Sequence, residues 1–176
     1  MATTILLIPG IGDSGPDHWQ SRWQAAHANY RRVQQRDWDH PVCAEWAAAL
    51  EHAVQGCGAG SILVAHSLGC LLVAHWLHAT RLRVAGALLV AVPDPASRQF
   101  PAEATGFAPV PAGPLPCPSI VVASQDDPYA SSAYARDRAG SWGSRFVDIG
   151  KAGHINAASG LGEWAAGHDL LARLTS

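Results

Sequence analysis

The chain carries several short, unbroken runs of apolar residues, separated by longer segments with helical spacing. Unbroken runs of this length are typical of strands covered on both faces, as in a parallel sheet. A further strand candidate at 30–35 is more polar, which indicates a sheet edge. The candidates are "YRRVQQ" (30–35) and the apolar runs "TILLIP" (4–9), "SILVAH" (61–66), "VAGALLVAV" (84–92), "SIVVAS" (119–124) and "RFVDI" (145–149).

The segments between the runs repeat large side chains every three or four positions, which is the period of an amphipathic helix. Strands that alternate with helices predict a doubly wound α/β domain. We therefore expect one domain over residues 1–176, with about six mostly parallel strands and helices on both faces of the sheet. The repeating residues are Trp46, Leu50 and Val54, then Leu68, Leu72 and Trp76, and finally Trp164, His168 and Leu171.

One region, residues 93–118, is rich in proline and has no sustained period. Proline restricts the backbone and removes hydrogen-bond donors, so this segment is predicted to be a loop over the C-terminal edge of the sheet. Two interpretations remain open: the loop partly covers a pocket, or it is a passive connection between strands.

The overall composition favours an uncharged small-molecule substrate. The formal net charge is -2, with 48% hydrophobic and 15% charged residues, so nothing points to a nucleic-acid partner. The four cysteines are scattered without a CxxC pair, and we expect reduced thiols. No apolar run approaches the roughly 20 residues of a membrane span, and the N-terminus lacks a basic leader. We expect a cytoplasmic protein without a membrane partner; any protein partner stays unidentified.

Ser67 occupies the point where an apolar strand turns into a helix, in "SILVAHSLGCLLVAHW" (61–76). Such a turn exposes the serine and strains its backbone, and small residues two positions away let the neighbouring backbones approach. Ala65 and Gly69 meet that requirement, although glycine is usual at both places. A helix N-cap is the alternative role for this serine. The strand–turn–helix context favours a nucleophile.

A carboxylate and an imidazole follow in the expected order. Asp126 and Asp127 come after the fourth apolar run and His154 after the fifth. Because parallel strands end at one edge of the sheet, Ser67, one aspartate and His154 are predicted to converge there. The imidazole would accept the serine proton and the carboxylate would orient the imidazole. Spacing alone leaves Asp126 and Asp127 open, and the second aspartate would then cap a helix beginning near Pro128.

Backbone donors for an oxyanion are expected at two places. The N–H of Leu68 follows the predicted nucleophile, and a second N–H should come from the glycine-rich loop "PGIGDSGPDHW" (9–19). We predict Ile11 for that donor, with Gly12 as the second choice.

Taken together, these stretches resemble the small serine hydrolases of the retinoblastoma-binding-protein-9 and YdeN-like family. The resemblance rests on "IPGIGDSGPDHWQSRW", "QRDWDHPVCAEWAAAL", "LVAHSLGC", "VAVPDP", "SQDDPYA" and "GKAGHINAASGLGEW", from Ile8 to Trp164. It implies a compact α/β-hydrolase with little or no lid, and it places the catalytic residues at Ser67, Asp127 and His154. Activity on small acyl esters or thioesters through an acyl-enzyme is implied, without metal or cofactor.

Two other functions remain open at this stage. The same residues would suit an amidase or peptidase, and a protein-binding module with a vestigial site is the third possibility.

Several side chains have competing interpretations. Asp94 is either a second acid or a turn residue, His18 either faces the pocket or starts a helix, and His66 is expected to be a packed, hydrogen-bonded neighbour. His75 and His78 are expected at the surface rather than at a metal. Trp38 and Trp142 either line a pocket or an interface or belong to the core.

Overall fold

The computed structural model describes residues 3–174, which fold around one six-stranded sheet in the order β2-β1-β3-β4-β5-β6. All five pairings between neighbouring strands are parallel, which confirms the predicted α/β class. Each of the six strand candidates contains one strand. Their bounds are β1 Ile5–Ile8, β2 Tyr30–Arg32, β3 Ile62–His66, β4 Gly86–Val90, β5 Ser119–Ala123 and β6 Arg145–Asp148.

Burial along the sheet explains why the two edges differ in sequence from the centre. Every residue of β1, β3, β4 and β5 is buried, so these strands read as continuous apolar runs. The edge strands β2 and β6 are partly exposed. The polar candidate at 30–35 is therefore an edge strand, as its composition predicts.

Helices cover both faces of the sheet, because alternate residues of each strand point to opposite sides. On one face Leu6 and Ile8 pack with α2, α3 and α4, and on the other Ile5 and Leu7 pack with α1 and α5. The helices are α1 Trp19–Ala26, α2 Cys43–Cys57, α3 Leu68–Ala79, α4 Ser132–Trp142 and α5 Ala165–Ala172, with a short 3₁₀ helix at Ala157–Ser159.

Six of the seven tryptophans are buried and divide equally between the two faces. Trp142 belongs to the core, and Trp38 is half-buried against Trp46. The spacing of Trp164 predicts that it lies within a helix, but the structure places it just before one. It lies at the N-cap of α5 with a left-handed φ of 41°, packed so closely on Gly167 that no side chain fits at that glycine. This packing places the indole ring against Trp19 on α1.

Gly69 allows α3 to begin directly against the end of β1. A Cβ on Gly69 would lie 2.8 Å from the Pro9 carbonyl oxygen and would also overlap the Ile8 carbonyl oxygen. We expect Gly69→Ala to lower the free energy of unfolding by about 3 kcal/mol, because backbone atoms cannot move aside as a side chain can. Urea denaturation measures this change.

Gly140→Ala on α4 is the matched control, because nothing lies within 4 Å of a Cβ at that position. It should stabilise the protein by up to about 1 kcal/mol through helix propensity. Equal effects of the two substitutions would show that close approach at Gly69 is unimportant.

None of the helices within residues 3–174 combines the length and the apolar character that a membrane crossing requires.

Candidate active site

Ser67 stands at the sharp turn between β3 and α3. Its φ is 53° and its ψ is −126°, a conformation that non-glycine residues rarely adopt. The backbone is held there because the Ser67 N–H donates to the Val90 carbonyl at 2.9 Å, while the Cys70 N–H donates to the Ser67 carbonyl at 2.9 Å. The hydroxyl makes no N-cap hydrogen bond to α3. Ser67 thus occupies the N-cap position of α3, but its side chain does not cap the helix. The residue borders the neighbouring cavity.

A continuous chain of hydrogen bonds joins Ser67, His154 and Asp127. His154 Nε2 lies 2.7 Å from Ser67 Oγ, and His154 Nδ1 lies 2.9 Å from both carboxylate oxygens of Asp127. The side chains of His154 and Asp127 are only 9% and 4% exposed. An ionised carboxylate only accepts hydrogen bonds, so the histidine proton lies on Nδ1 and leaves the Nε2 lone pair facing the serine hydroxyl.

The neighbouring Asp126 has a different task. Its Oδ1 accepts from Ser124 Oγ and from the Gly153 N–H, each at 2.8 Å. The bond from Gly153 is the main cause that lowers the pKa of Asp126. Asp126 thus ties the loop before His154 to the end of β5. The sequence position of Asp126 suggests that it caps a helix near Pro128. That prediction is wrong, because α4 begins at Ser132 with Ser131 as its N-cap.

The loop after β1 passes against the turn at Ser67. A Cβ on Gly10 would lie 3.0 Å from Ser67 Cβ and 3.3 Å from the Leu68 nitrogen, so only glycine permits this approach comfortably. The Gly12 N–H donates to the Trp38 carbonyl at 2.8 Å and is occupied. Within residues 3–174 neither the Ile11 N–H nor the Leu68 N–H donates a hydrogen bond. Both residues line the cavity, so these two donors are free to meet a ligand.

Two buried histidines stand beside His154. His66 Nε2 donates to the His154 carbonyl at 2.8 Å, and burial lowers the pKa of His66 well below its usual value. This matches the predicted packed, hydrogen-bonded neighbour. His18 fits both interpretations of its position: it lines the cavity, and its Nδ1 accepts from the Gln20 N–H at the start of α1.

Tyr129 also contacts the candidate site, although none of the sequence motifs singles it out. Its ring centroid lies 4.4 Å from that of His154, and its N–H donates to Asp127 Oδ1 at 2.9 Å. The one sequence feature that could have pointed to Tyr129 is its place two positions after a candidate acid at the end of a strand. Asp94 donates its N–H to the Tyr129 carbonyl and accepts from the Ala96 N–H, so it is the turn residue rather than a second acid.

The cavity in front of Ser67 has a volume of about 470 Å³. One part of its wall is Gln99, Phe100 and Pro101, so the proline-rich segment 93–118 does border a pocket. The rest of the lining comes from the loop after β1, the turn between β3 and α3, Pro93 after β4, Tyr129 after β5, and His154 with residues 156–158 after β6. The cavity therefore lies at the C-terminal edge of the parallel sheet, where loops of several strands meet.

The histidines on α3 have carbonyl partners. His75 Nε2 contacts the Phe107 carbonyl and His78 Nδ1 contacts the Ala74 carbonyl. Within residues 3–174 no three His, Cys, Asp or Glu side chains are arranged to hold a metal ion. The four cysteines are unpaired, and burial raises the pKa of Cys43 and Cys117 to about 11.

Comparison with known proteins adds independent information. A family model described as serine hydrolase matches residues 5–173. A YdeN-like hydrolase from Pectobacterium atrosepticum is 34% identical, with a TM-score of 0.87 over 98% of this chain and 90% of its own. The ydeN gene product of B. subtilis is 20% identical, with a TM-score of 0.83 over 99% of each chain.

A more distant match is an esterase from Thermogutta terrifontis, 17% identical with a TM-score of 0.69 over 100% of this chain and 92% of the esterase. At that identity the match shows the fold alone. No curated protein matches the sequence.

Proposed function

Because this chain belongs to the serine hydrolase family, we propose that it cleaves small acyl esters or thioesters through an acyl-enzyme formed on Ser67. The observation that carries the proposal is the chain of short hydrogen bonds from Ser67 through His154 to Asp127 at the floor of a cavity. These groups supply what acyl transfer by a serine requires: a nucleophile, a base and a carboxylate that orients the base.

In the acylation step, Ser67 Oγ attacks the substrate carbonyl carbon while His154 Nε2 accepts the hydroxyl proton. Asp127 keeps the imidazole in the reactive tautomer and stabilises the imidazolium that forms. When the tetrahedral intermediate collapses, His154 returns the proton to the leaving alcohol or thiol. A water molecule then repeats the sequence on the acyl-enzyme, which releases the acid and restores Ser67.

The negative charge on the carbonyl oxygen needs donors fixed in advance. We propose the Leu68 and Ile11 N–H groups for this role, since both face the cavity and neither is engaged elsewhere in the described structure. Leu68 also begins α3, so the positive end of the helix dipole supports an anion there. This chemistry requires no metal or redox group from the protein.

Cavity size and lining suggest the substrate class. A volume of about 470 Å³ suits a small acyl ester, and the apolar contacts of Ile11, Leu68 and Phe100 suit an uncharged chain. The name of the distant Thermogutta neighbour agrees with ester cleavage, and we extend it to this chain only as support for the proposal.

A matched pair of chromogenic substrates tests the proposal. We expect p-nitrophenyl butyrate to be hydrolysed with a kcat/KM at least about 100-fold above that of the corresponding p-nitroanilide, because an amine leaves poorly without further protonation. The butyryl thioester of a simple thiol should be cleaved too. Preferred cleavage of the anilide would favour an amidase. If the protein cleaves neither the ester nor the thioester nor the anilide, the proposal that it hydrolyses small acyl groups is overturned.

A further inference from the structure

His18 is a buried polar side chain in the wall of the proposed active site with one hydrogen-bonding atom unused. The residue is 5% exposed and borders the same cavity as Ser67 and His154. Its ring packs edge-to-face on His66 at 4.6 Å between centroids, and the His66 ring lies 5.0 Å from that of His154. The three rings therefore form a row along one side of the cavity.

The protonation state of His18 follows from its contacts. Nδ1 accepts a hydrogen bond from the Gln20 N–H at 3.2 Å, so this nitrogen carries no proton. Burial, and then the positive charge of Arg32, lower the pKa of His18 to about 4. The imidazole is thus neutral near neutral pH, and its single proton lies on Nε2.

The Nε2–H donor has no hydrogen-bond partner among residues 3–174. Buried donors without a partner are costly and rare in folded proteins, so one beside a cavity points to a water molecule or a ligand that accepts from it. His66 differs in this respect, since its Nε2–H is satisfied by the His154 carbonyl. The mechanism described above uses neither nitrogen of His18. The Nε2 atom itself is closed to solvent, so a substrate oxygen would have to displace atoms of the cavity wall beside His18 to reach this donor.

We propose that His18 is a specificity-determining residue whose Nε2–H donates to a second oxygen in the alcohol portion of the ester, as in esters of glycols and other oxygenated alcohols. This inference rests on the proposed function. The leaving oxygen must lie beside His154 Nε2 to take its proton, which places the alcohol portion along the row of histidines. The carbonyl oxygen faces Ile11 and Leu68 instead, at the proposed oxyanion donors.

Two substitutions separate the two nitrogens of His18. In His18→Asn the side-chain oxygen replaces Nδ1 as the N-cap acceptor, and asparagine is among the best N-caps, but the Nε2 donor is lost. In His18→Gln the amide nitrogen reaches the position of Nε2, so a donor is retained there. His52→Asn on α2 is the matched control, because His52 is exposed and does not border the cavity.

The substrates are pairs in which one methylene is replaced by an ether oxygen. The alcohol-side pair is butyl butyrate and 2-methoxyethyl butyrate, and the acyl-side pair is ethyl butyrate and ethyl methoxyacetate. The measured quantity is the ratio of kcat/KM for the ether ester over the all-carbon ester. Comparing this ratio between variants cancels the intrinsic reactivity of the two esters.

We expect the alcohol-side ratio to fall roughly three- to tenfold in His18→Asn, the worth of one neutral hydrogen bond. It should be retained in His18→Gln and in His52→Asn, and the acyl-side ratio should not change in any variant. In the wild-type protein, the alcohol-side ratio should also exceed that of alkaline hydrolysis by a similar factor, which tests the idea without any substitution.

An alcohol-side ratio in wild-type protein equal to that of alkaline hydrolysis would overturn the assignment. So would an unchanged ratio in folded His18→Asn, or a fall confined to the acyl-side pair. If wild-type protein hydrolyses p-nitrophenyl butyrate but shows none of these preferences, only the role of His18 fails. If it hydrolyses no ester at all, the proposed function fails and this assignment with it.

Discussion

Replacing Ser67 with alanine is expected to abolish ester hydrolysis, with a fall in kcat of about 10⁶-fold, because no other hydroxyl reaches His154 Nε2 in the described structure. Wild-type protein should gain one covalent adduct from a fluorophosphonate probe, and Ser67→Ala should gain none. Intact-protein mass spectrometry reads the adduct directly, and a p-nitrophenyl butyrate assay follows turnover.

The substitution should leave the fold intact, since the Ser67 hydroxyl makes no hydrogen bond to the start of α3. Circular dichroism and thermal unfolding check this. Ser132→Ala is the matched control: Ser132 lies on α4, outside the cavity, and contacts Asp148. The Ser132→Ala protein should react with the fluorophosphonate probe and hydrolyse p-nitrophenyl butyrate as the wild-type protein does. An adduct that persists in Ser67→Ala would show that another residue is the nucleophile.

Asp127→Asn is expected to lower kcat by about 10⁴-fold while leaving the protein folded. His154 Nδ1 lies between both oxygens of Asp127, and an amide NH₂ in one of those places favours the tautomer with its proton on Nε2. That tautomer donates toward Ser67 instead of accepting its proton. Turnover of p-nitrophenyl butyrate and the rate of fluorophosphonate labelling should fall together.

Asp126→Asn provides the comparison that sequence alone cannot. Asp126 accepts the hydrogen bonds from Ser124 and Gly153 on the same oxygen, Oδ1, and an uncharged asparagine oxygen in that place can still accept both, although more weakly. We expect a loss of less than about tenfold, from a loosened loop before His154. A larger loss for Asp126→Asn than for Asp127→Asn would exchange the proposed roles of the two aspartates.

The choice between these aspartates illustrates what pattern cannot resolve. Both follow β5 and both have acidic side chains, but they point to different partners: Asp127 contacts the His154 ring, and Asp126 contacts the backbone just before it. Side-chain direction at the end of a strand depends on the turn that follows. Here the turn delays α4 until Ser132, beyond the start near Pro128 that the sequence suggests.

His18 shows the same limit for a different reason. Its place at the start of α1 is readable from the sequence, because a polar residue before Trp19 suits an N-cap. That Nδ1 is the capping atom, and that Nε2 is left buried without a partner within residues 3–174, depends on packing against His66. Tyr129 is a parallel case, since its contact with His154 joins loops from two different strands.

The sequence by itself determined the class of fold and the edge of the sheet at which the chemistry is expected. Four fully buried strands must be apolar on both faces, so they appear as unbroken runs, and parallel strands bring their C-terminal ends to one edge. Spacing left the choice between Asp126 and Asp127 open, and only the family resemblance favoured Asp127. Tertiary structure decided that the Asp127 carboxylate contacts the His154 ring, that Asp126 contacts the backbone before it, and that the His18 Nε2 donor remains unused within residues 3–174. Those outcomes depend on contacts of 2.7 to 2.9 Å between residues far apart in the chain, and no local pattern encodes such distances.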